Sequence, residues 1–266
     1  MKISKFIWTL TISIVLINIF LFITRIGGEP VQLITGDLLP VLCSFMAIIG
    51  LFSAFTSFKT WDQAKVSWML LLTGIFSWFI AEAIYFFFEV IKKYNMEELY
   101  PSAADVFWLF GYIPLFTGMI LLIIGYKKSG LTFGPWKSRL LLIGFLFLII
   151  TGGLIIKLLI PIIKDTETPP LGKFVYLFYP IGDLCLLLPV GLLAYITSLF
   201  GKGVFSRPWQ YITLGFLLFA ISDILYSYLS WLSLYKAGSV TDFGWNIGYL
   251  LVAIAGFYQN KLVRSA

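Results

Sequence analysis

Eight apolar runs, each near the ~20 residues that a helix needs to cross a bilayer, leave this chain few folds to adopt. They fall roughly at 5–25, 38–58, 66–91, 104–126, 138–160, 174–200, 208–233 and 242–262. In hydrocarbon, backbone N–H and C=O groups must be satisfied within a helix or a closed barrel. These runs do not alternate apolar and polar positions as barrel strands do. The pattern therefore predicts an all-α polytopic membrane protein of eight transmembrane helices. Only 12% of residues are charged and 60% are hydrophobic, against about 25% charged in soluble domains, which excludes a soluble core. Lys2 and Lys5 give the first run the look of a signal peptide. It has no small-residue cleavage site and is too long for a typical apolar signal region, so it reads as a span.

Lys and Arg set the orientation. With the N-terminus inside, twelve of the nineteen fall on the cytoplasmic side, including Lys59, Lys65, Lys127, Lys128, Lys137, Arg139, Lys202 and Arg207. This predicts both termini in the cytoplasm of a cell-membrane protein. The acids are more lopsided: only Asp62 of thirteen falls inside, and the rest lie in outer loops or the outer half of the spans. Acids contribute little to topology, so their placement asks for another explanation.

The chain also repeats itself. Ser102–Tyr112 (SAADVFWLFGY) returns as Ser239–Tyr249 (SVTDFGWNIGY), with Ser, Asp, Trp, Gly and Tyr identical at one constant offset. Trp68, Gly74, Glu82 and Tyr85 match Trp209, Gly215, Asp223 and Tyr226 at a slightly longer one, and Gly36-Asp37 matches Gly182-Asp183 at one longer still. The offset shrinks along the chain because the second copy has shorter connections. Two units follow, 1–130 and 131–266, each of four helices. An even helix number returns the chain to its starting side, so the repeats are parallel. The basic, Gly- and Pro-containing stretch Lys127–Arg139 is the expected linker.

Six repeat-matched acids thereby gather near one membrane face: Asp37, Glu82 and Asp105, then Asp183, Asp223 and Asp242. Aromatic partners accompany them at i+3 and i+7 spacing, on one helical face: Tyr85 after Glu82, Tyr226 after Asp223, Trp108 and Tyr112 after Asp105, Trp245 and Tyr249 after Asp242. A carboxylate in a span costs about 2.5–3.5 kcal/mol at a helix centre and less near an interface. Two readings fit Glu82 and Asp223: an outward polar cavity, or inter-helix hydrogen bonds that fix packing. Asp105 and Asp242 fit capping boxes with Ser102 and Ser239. Their Trp and Tyr partners fit either interfacial belts or a shared pocket. Asp37 and Asp183 are expected at helix starts after Gly, with Pro40 in a first turn. Pro114 and Pro189 fall inside spans, where freed carbonyls need cavity water or protein. Glu89 is expected at the interface, Ser230 standing at the matching position.

The chain contains no His. That removes His-ligated haem, the usual zinc enzymes and Ser-His or Cys-His catalysis. Cys43 and Cys185 are not repeat-equivalent and read as two buried apolar residues rather than a disulfide. The net charge of +6 is a topological bias rather than a nucleic-acid signal. No calcium loop or phosphate–magnesium signature is present, so neither a metal nor a cofactor is expected. The acids could instead hold a small cationic or polar ligand.

Gly182-Asp183, Asp223-x-x-Tyr226 and Pro101-Ser102-Ala103-Ala104-Asp105 carry a resemblance to a family. They resemble the multi-span membrane input domain at the N-terminus of some bacterial and archaeal histidine kinases and diguanylate cyclases. The resemblance implies a sensory role. No kinase, cyclase or PAS segment follows Ala266, so the expectation is either a stand-alone relative or a separate cytoplasmic signalling partner that carries the output. The leading expectation is a non-enzymatic sensory or ligand-binding membrane protein. A transporter of a small cationic or polar solute is the alternative; it would need polar residues along a whole path, and the inner halves of the spans are nearly bare of charge. An enzyme acting on lipid ranks last, for want of a nucleophile motif.

Overall fold

The computed structural model describes residues 2–96, 98–128, 153, 157, 159–199 and 205–265. Among them the chain is helical, with turns and no strand. The long helices are α1 (Lys2–Thr24), α2 (Gly28–Ser57), α3 (Gln63–Phe86), α4 (Ala103–Lys128), α6 (Pro170–Ser198), α7 (Arg207–Trp231) and α8 (Val240–Ser265). A five-residue helix, α5 (Ile160–Lys164), precedes α6, and a π-helical turn, Phe87–Ile91, extends α3.

Five of these helices, α2, α3 with its extension, α4, α6 and α7, are long and apolar enough to cross a membrane. The protein is integral to a membrane. α1 contributes a shorter apolar stretch, Trp8–Thr24. α8 has the length but is more polar, and it lies against both α2 and α7. The expected span at 138–160 and the linker after Lys128 lie almost wholly outside the described residues.

Local chemistry sets the helix ends. Arg25, Gly27 and Gly28 take positive φ values of 50°, 80° and 64°, which turn the chain sharply from α1 into α2. The Asp62 side chain accepts from the Lys65 N–H at 2.9 Å and caps α3. Pro208 stands in the first turn of α7, where its missing N–H leaves no helical partner wanting.

The helices pack in a closed ring. α2 contacts α3, α3 contacts α4, α4 contacts α6, α6 contacts α7, α7 contacts α8, and α8 returns to α2; α1 rests outside on α8. Large apolar side chains such as Phe20, Leu16, Val106, Ile113 and Leu188 point outward and are more than half exposed. On a soluble protein such a surface would aggregate; on this one it faces lipid. Small residues permit close approach inside the ring. Gly74 lies against Gly111 and Gly215 against Gly248, with room at neither for a methyl group.

One end of the ring is dry. Trp68 and Trp209 are each 1% exposed and their rings meet at 5.3 Å. Leu51, Leu71, Met119, Val190 and Leu193 pack around this level with at most 2% exposure. The other end, where α3 and α7 finish and α4 and α8 begin, carries the acids.

Two expectations about helix starts are corrected. Asp37 lies nine residues into α2, which begins at Gly28, and Asp183 lies thirteen residues into α6, which begins at Pro170. Glu29, Gln32, Thr35 and Asp37 hide the true start of α2 from a hydropathy reading. The buried Gln32 and Asp37 turn inward, so lipid does not set their cost. Pro40 is accordingly inside α2, not in its first turn. Cys43 is buried as expected, but Cys185 is exposed on the outer face of α6.

Candidate functional site

Pro40 has no N–H to bond the Gly36 carbonyl, so α2 loses one rung of its ladder there. Both residues border a cavity at the acidic end of the ring. Gly36 is obligatory in this position, since a Cβ would come within 2.8 Å of the Gly238 nitrogen. Ten of the twelve residues singled out from sequence line the same cavity: Asp37, Glu82, Tyr85, Asp105, Trp108, Tyr112, Asp223, Tyr226, Trp245 and Tyr249. None of its lining residues is Lys or Arg. It offers about 80 Å³ to the centres of water-sized molecules.

The acids are held by aromatic donors. Glu82 accepts from the Tyr249 hydroxyl at 2.8 Å and the Trp108 indole N–H at 3.3 Å, both at Oε1. Asp223 accepts from the Trp245 N–H at 2.6 Å, and the Tyr112 hydroxyl lies 3.4 Å from its other oxygen. Each carboxylate thus joins helices far apart in sequence.

Asp105 and Asp242 combine two tasks. Asp105 accepts from the Ser102 N–H at 2.6 Å, and the Ser102 hydroxyl lies 3.2 Å from the Ala104 nitrogen, as in a capping box. Its second oxygen accepts from the Tyr179 hydroxyl at 2.6 Å. Asp242 accepts from the Gly238 N–H at 2.6 Å, one residue earlier than the expected Ser239, and from the Tyr235 hydroxyl at 3.1 Å. Gly238 takes φ +77°, which aims that N–H at the carboxylate.

Asp183 and Asp242 stand behind the wall rather than on it. Asp183 is fully buried and receives the Tyr112 hydroxyl at 2.8 Å. Asp37 is 8% exposed, faces the cavity, and its Oδ2 has no hydrogen-bond donor. Glu89, in the π-helical turn, brings its carboxyl to within hydrogen-bonding reach of Asp37. Glu89 stands seven residues after Glu82, on the same helical face.

Sequence reasoning missed Trp78, Tyr179, Phe219 and Tyr235, all of which line the cavity. Trp78 and Phe219 stand at the same spacing as Trp68 and Trp209, so the repeat contained that signal. Tyr179 precedes Asp183 by one helical turn. Tyr235 lies between α7 and α8 and has no periodic signal.

Tyr235 also borders a second, wider space with Tyr100, Asp165, Glu167, Thr168 and Trp231, of about 690 Å³. Asp165 shapes its rim. The Thr168 hydroxyl, the Glu167 N–H at 2.9 Å and the Trp231 indole N–H at 3.0 Å all donate to its carboxylate. Together, Thr168 foremost, they hold it well below the usual carboxylate range. A depressed value means that the anion's contribution is complete above the ordinary value of about 4 and fades as pH falls through the lower folded value. Hydrogen-exchange protection of residues 165–173, corrected for intrinsic rates, is therefore expected to stay constant from pH 7 to 4. Asp165→Ala is expected to lose that protection already at pH 7.

No family model matches this sequence, and comparison with curated proteins and with solved structures finds no match to it.

Proposed function

We propose that this is a non-enzymatic, sensory or ligand-binding protein of the cell membrane, whose ligand enters the acidic and aromatic cavity from the outer side. The observation that carries this reading is the buried Asp37 oxygen that faces the cavity without a donor. Of the acids on the cavity wall, Asp37 is the one left with a donorless oxygen, whereas Glu82 receives two donors.

The same reading takes the chain as eight spans in two parallel four-helix repeats, 1–130 and 131–266, with both ends cytoplasmic. Matching positions make matching contacts. Trp108 donates to Glu82, and its repeat counterpart Trp245 donates to Asp223, the counterpart of Glu82. Tyr249 reaches across to Glu82 as Tyr112 reaches across to Asp223. Trp68 meets its own counterpart, Trp209. The cavity then lies between the repeats, on their pseudo-symmetry axis.

The packed layer around Trp68 and Trp209 favours sensing over transport. A transporter would have to part those side chains, among which no charged residue is buried in the described part of the chain. Output in this reading passes to a separate cytoplasmic partner.

The test is thermal denaturation of the purified protein against amines, divalent cations, sugars and lipids. At least one compound is expected to raise the melting temperature of the wild type, and to do so less for Glu82→Gln and Asp223→Asn. If no compound stabilises the wild type, the cavity is a structural feature and the reading fails.

A further inference from the structure

The chemistry of the cavity walls narrows what it holds. The rings of Tyr85, Trp108, Tyr226 and Trp245 line the cavity together with acids that no basic lining residue neutralises. Tyr226 and Trp245 meet edge to face at 5.6 Å, and Tyr85 and Trp108 are tilted at 5.8 Å, so two aromatic pairs stand on the wall. Aromatic faces carry negative potential and attract cations, most strongly those that shed water easily. A hard metal ion needs about six oxygen ligands. Among the described residues no group of three or more acidic, Cys or His side chains is placed to hold a metal.

Asp37 marks where the charge sits. Glu82 and Asp223 already receive indole and phenol donors, whereas the Asp37 Oδ2 atom, in a residue only 8% exposed, receives none. The Glu89 carboxyl lies within hydrogen-bonding reach of Asp37, so the two share one proton until a cation replaces it. Two adjacent carboxylates in an apolar wall repel each other, and a cation placed there relieves the repulsion. At about 80 Å³ the space takes on the order of five waters, or one compact headgroup.

Resting on the proposed ligand-binding role, we infer that the cavity binds an organic ammonium group, its positive centre at Asp37 and its alkyl substituents against the Tyr and Trp faces. A soluble amine and the ammonium headgroup of a lipid share this chemistry.

The experiment uses the full chain in detergent, with tetramethylammonium chloride as the probe and potassium chloride at equal ionic strength as the control. Sorbitol serves as an uncharged polyhydroxyl probe. Tetramethylammonium is expected to raise the melting temperature saturably and quench Trp fluorescence, with potassium doing neither. Asp37→Asn, which keeps the side-chain shape, is expected to weaken tetramethylammonium binding at least tenfold. The comparison with potassium needs no variant, so it decides the matter even if Asp37→Asn fails to fold.

Equal effects of tetramethylammonium and potassium overturn the ammonium assignment. Stabilisation by sorbitol alone also overturns it, yet leaves a ligand site standing. No response to any of the wider panel removes the site as well. Repeating the titration in nanodiscs separates the sources. A shift retained in both phosphatidylglycerol and phosphatidylcholine discs supports a soluble amine. A shift lost only in phosphatidylcholine discs supports a lipid headgroup already seated in the cavity.

Discussion

Gly256→Val is expected to abolish the folded protein. A Cβ at Gly256 would lie 2.2 Å from the Gly50 carbonyl carbon and 2.3 Å from its oxygen, and one at Gly50 would lie 2.4 Å from the Ala253 oxygen. These are backbone atoms of α2 and α8, so no side-chain rotamer can yield. Overpacking a core by a methylene or two costs about 1–3 kcal/mol. Here two helices would have to separate, which exceeds that range and rivals the ~5–15 kcal/mol of a whole domain. The α2–α8 contact also closes the ring, so its loss would open the cavity wall. Gly191→Ala is the control: among the described residues nothing outside its own stretch of helix lies within 4 Å of its Cβ position. Inside α6 it is expected to be neutral or to stabilise by up to about 1 kcal/mol. Yield of monodisperse protein and melting temperature in detergent check both. A well-folded Gly256→Val protein would show that α2 and α8 are not in backbone contact.

Tyr112→Phe is expected to be the most damaging single-atom deletion in the site. Tyr112 has one phenolic proton and two carboxylates in reach, Asp183 at 2.8 Å and Asp223 at 3.4 Å. It is the one aromatic donor to Asp183 among the described residues, and the other Asp183 oxygen already lacks a partner. Stranding a buried polar group costs about 1–3 kcal/mol, and more where it is charged, so a loss of about 3 kcal/mol is expected. Tyr249→Phe should cost less, because Glu82 keeps the Trp108 indole N–H at 3.3 Å. The asymmetry between one lost partner and two supplies the check. Asp183→Leu added to Tyr112→Phe should restore part of the loss. If the double variant is weaker than Tyr112→Phe by the full effect of Asp183→Leu alone, the two residues act independently and the hydrogen bond contributes nothing.

Much of this arrangement was legible in the order of residues. That Glu82 shares a face with Tyr85, and Asp223 with Tyr226, was readable, because acid and phenol stand three residues apart on a helix. The capping role of Asp105 was readable from Ser102 three residues before it. The depth of Asp37 and Asp183 was not. Hydropathy marks where lipid-facing residues begin, whereas α2 begins ten residues earlier, at Gly28, with Gln32 and Asp37 turned into the ring.

Glu89 shows the same limit more sharply. Its spacing of seven residues puts it on the helical face of Glu82, yet only the packing of α3 and its π turn against α2 brings it to Asp37. Which acid receives which donor was equally out of reach. Tyr249 and Glu82 are 167 residues apart, and Tyr112 and Asp183 are 71 apart. Periodicity reports a residue's face on its own helix and carries no information on which helix lies opposite.

The sequence by itself determined the helical, membrane-embedded class, because hydrocarbon admits no unpaired backbone. It also determined which acids and aromatics recur, since they stand at fixed offsets along the chain. The order of helices around the ring, the donors to each carboxylate and the unsatisfied oxygen of Asp37 were decided only in the tertiary structure. Those features depend on how closely glycine-bearing helices approach, and that distance is a property of two surfaces meeting, which neither segment encodes alone.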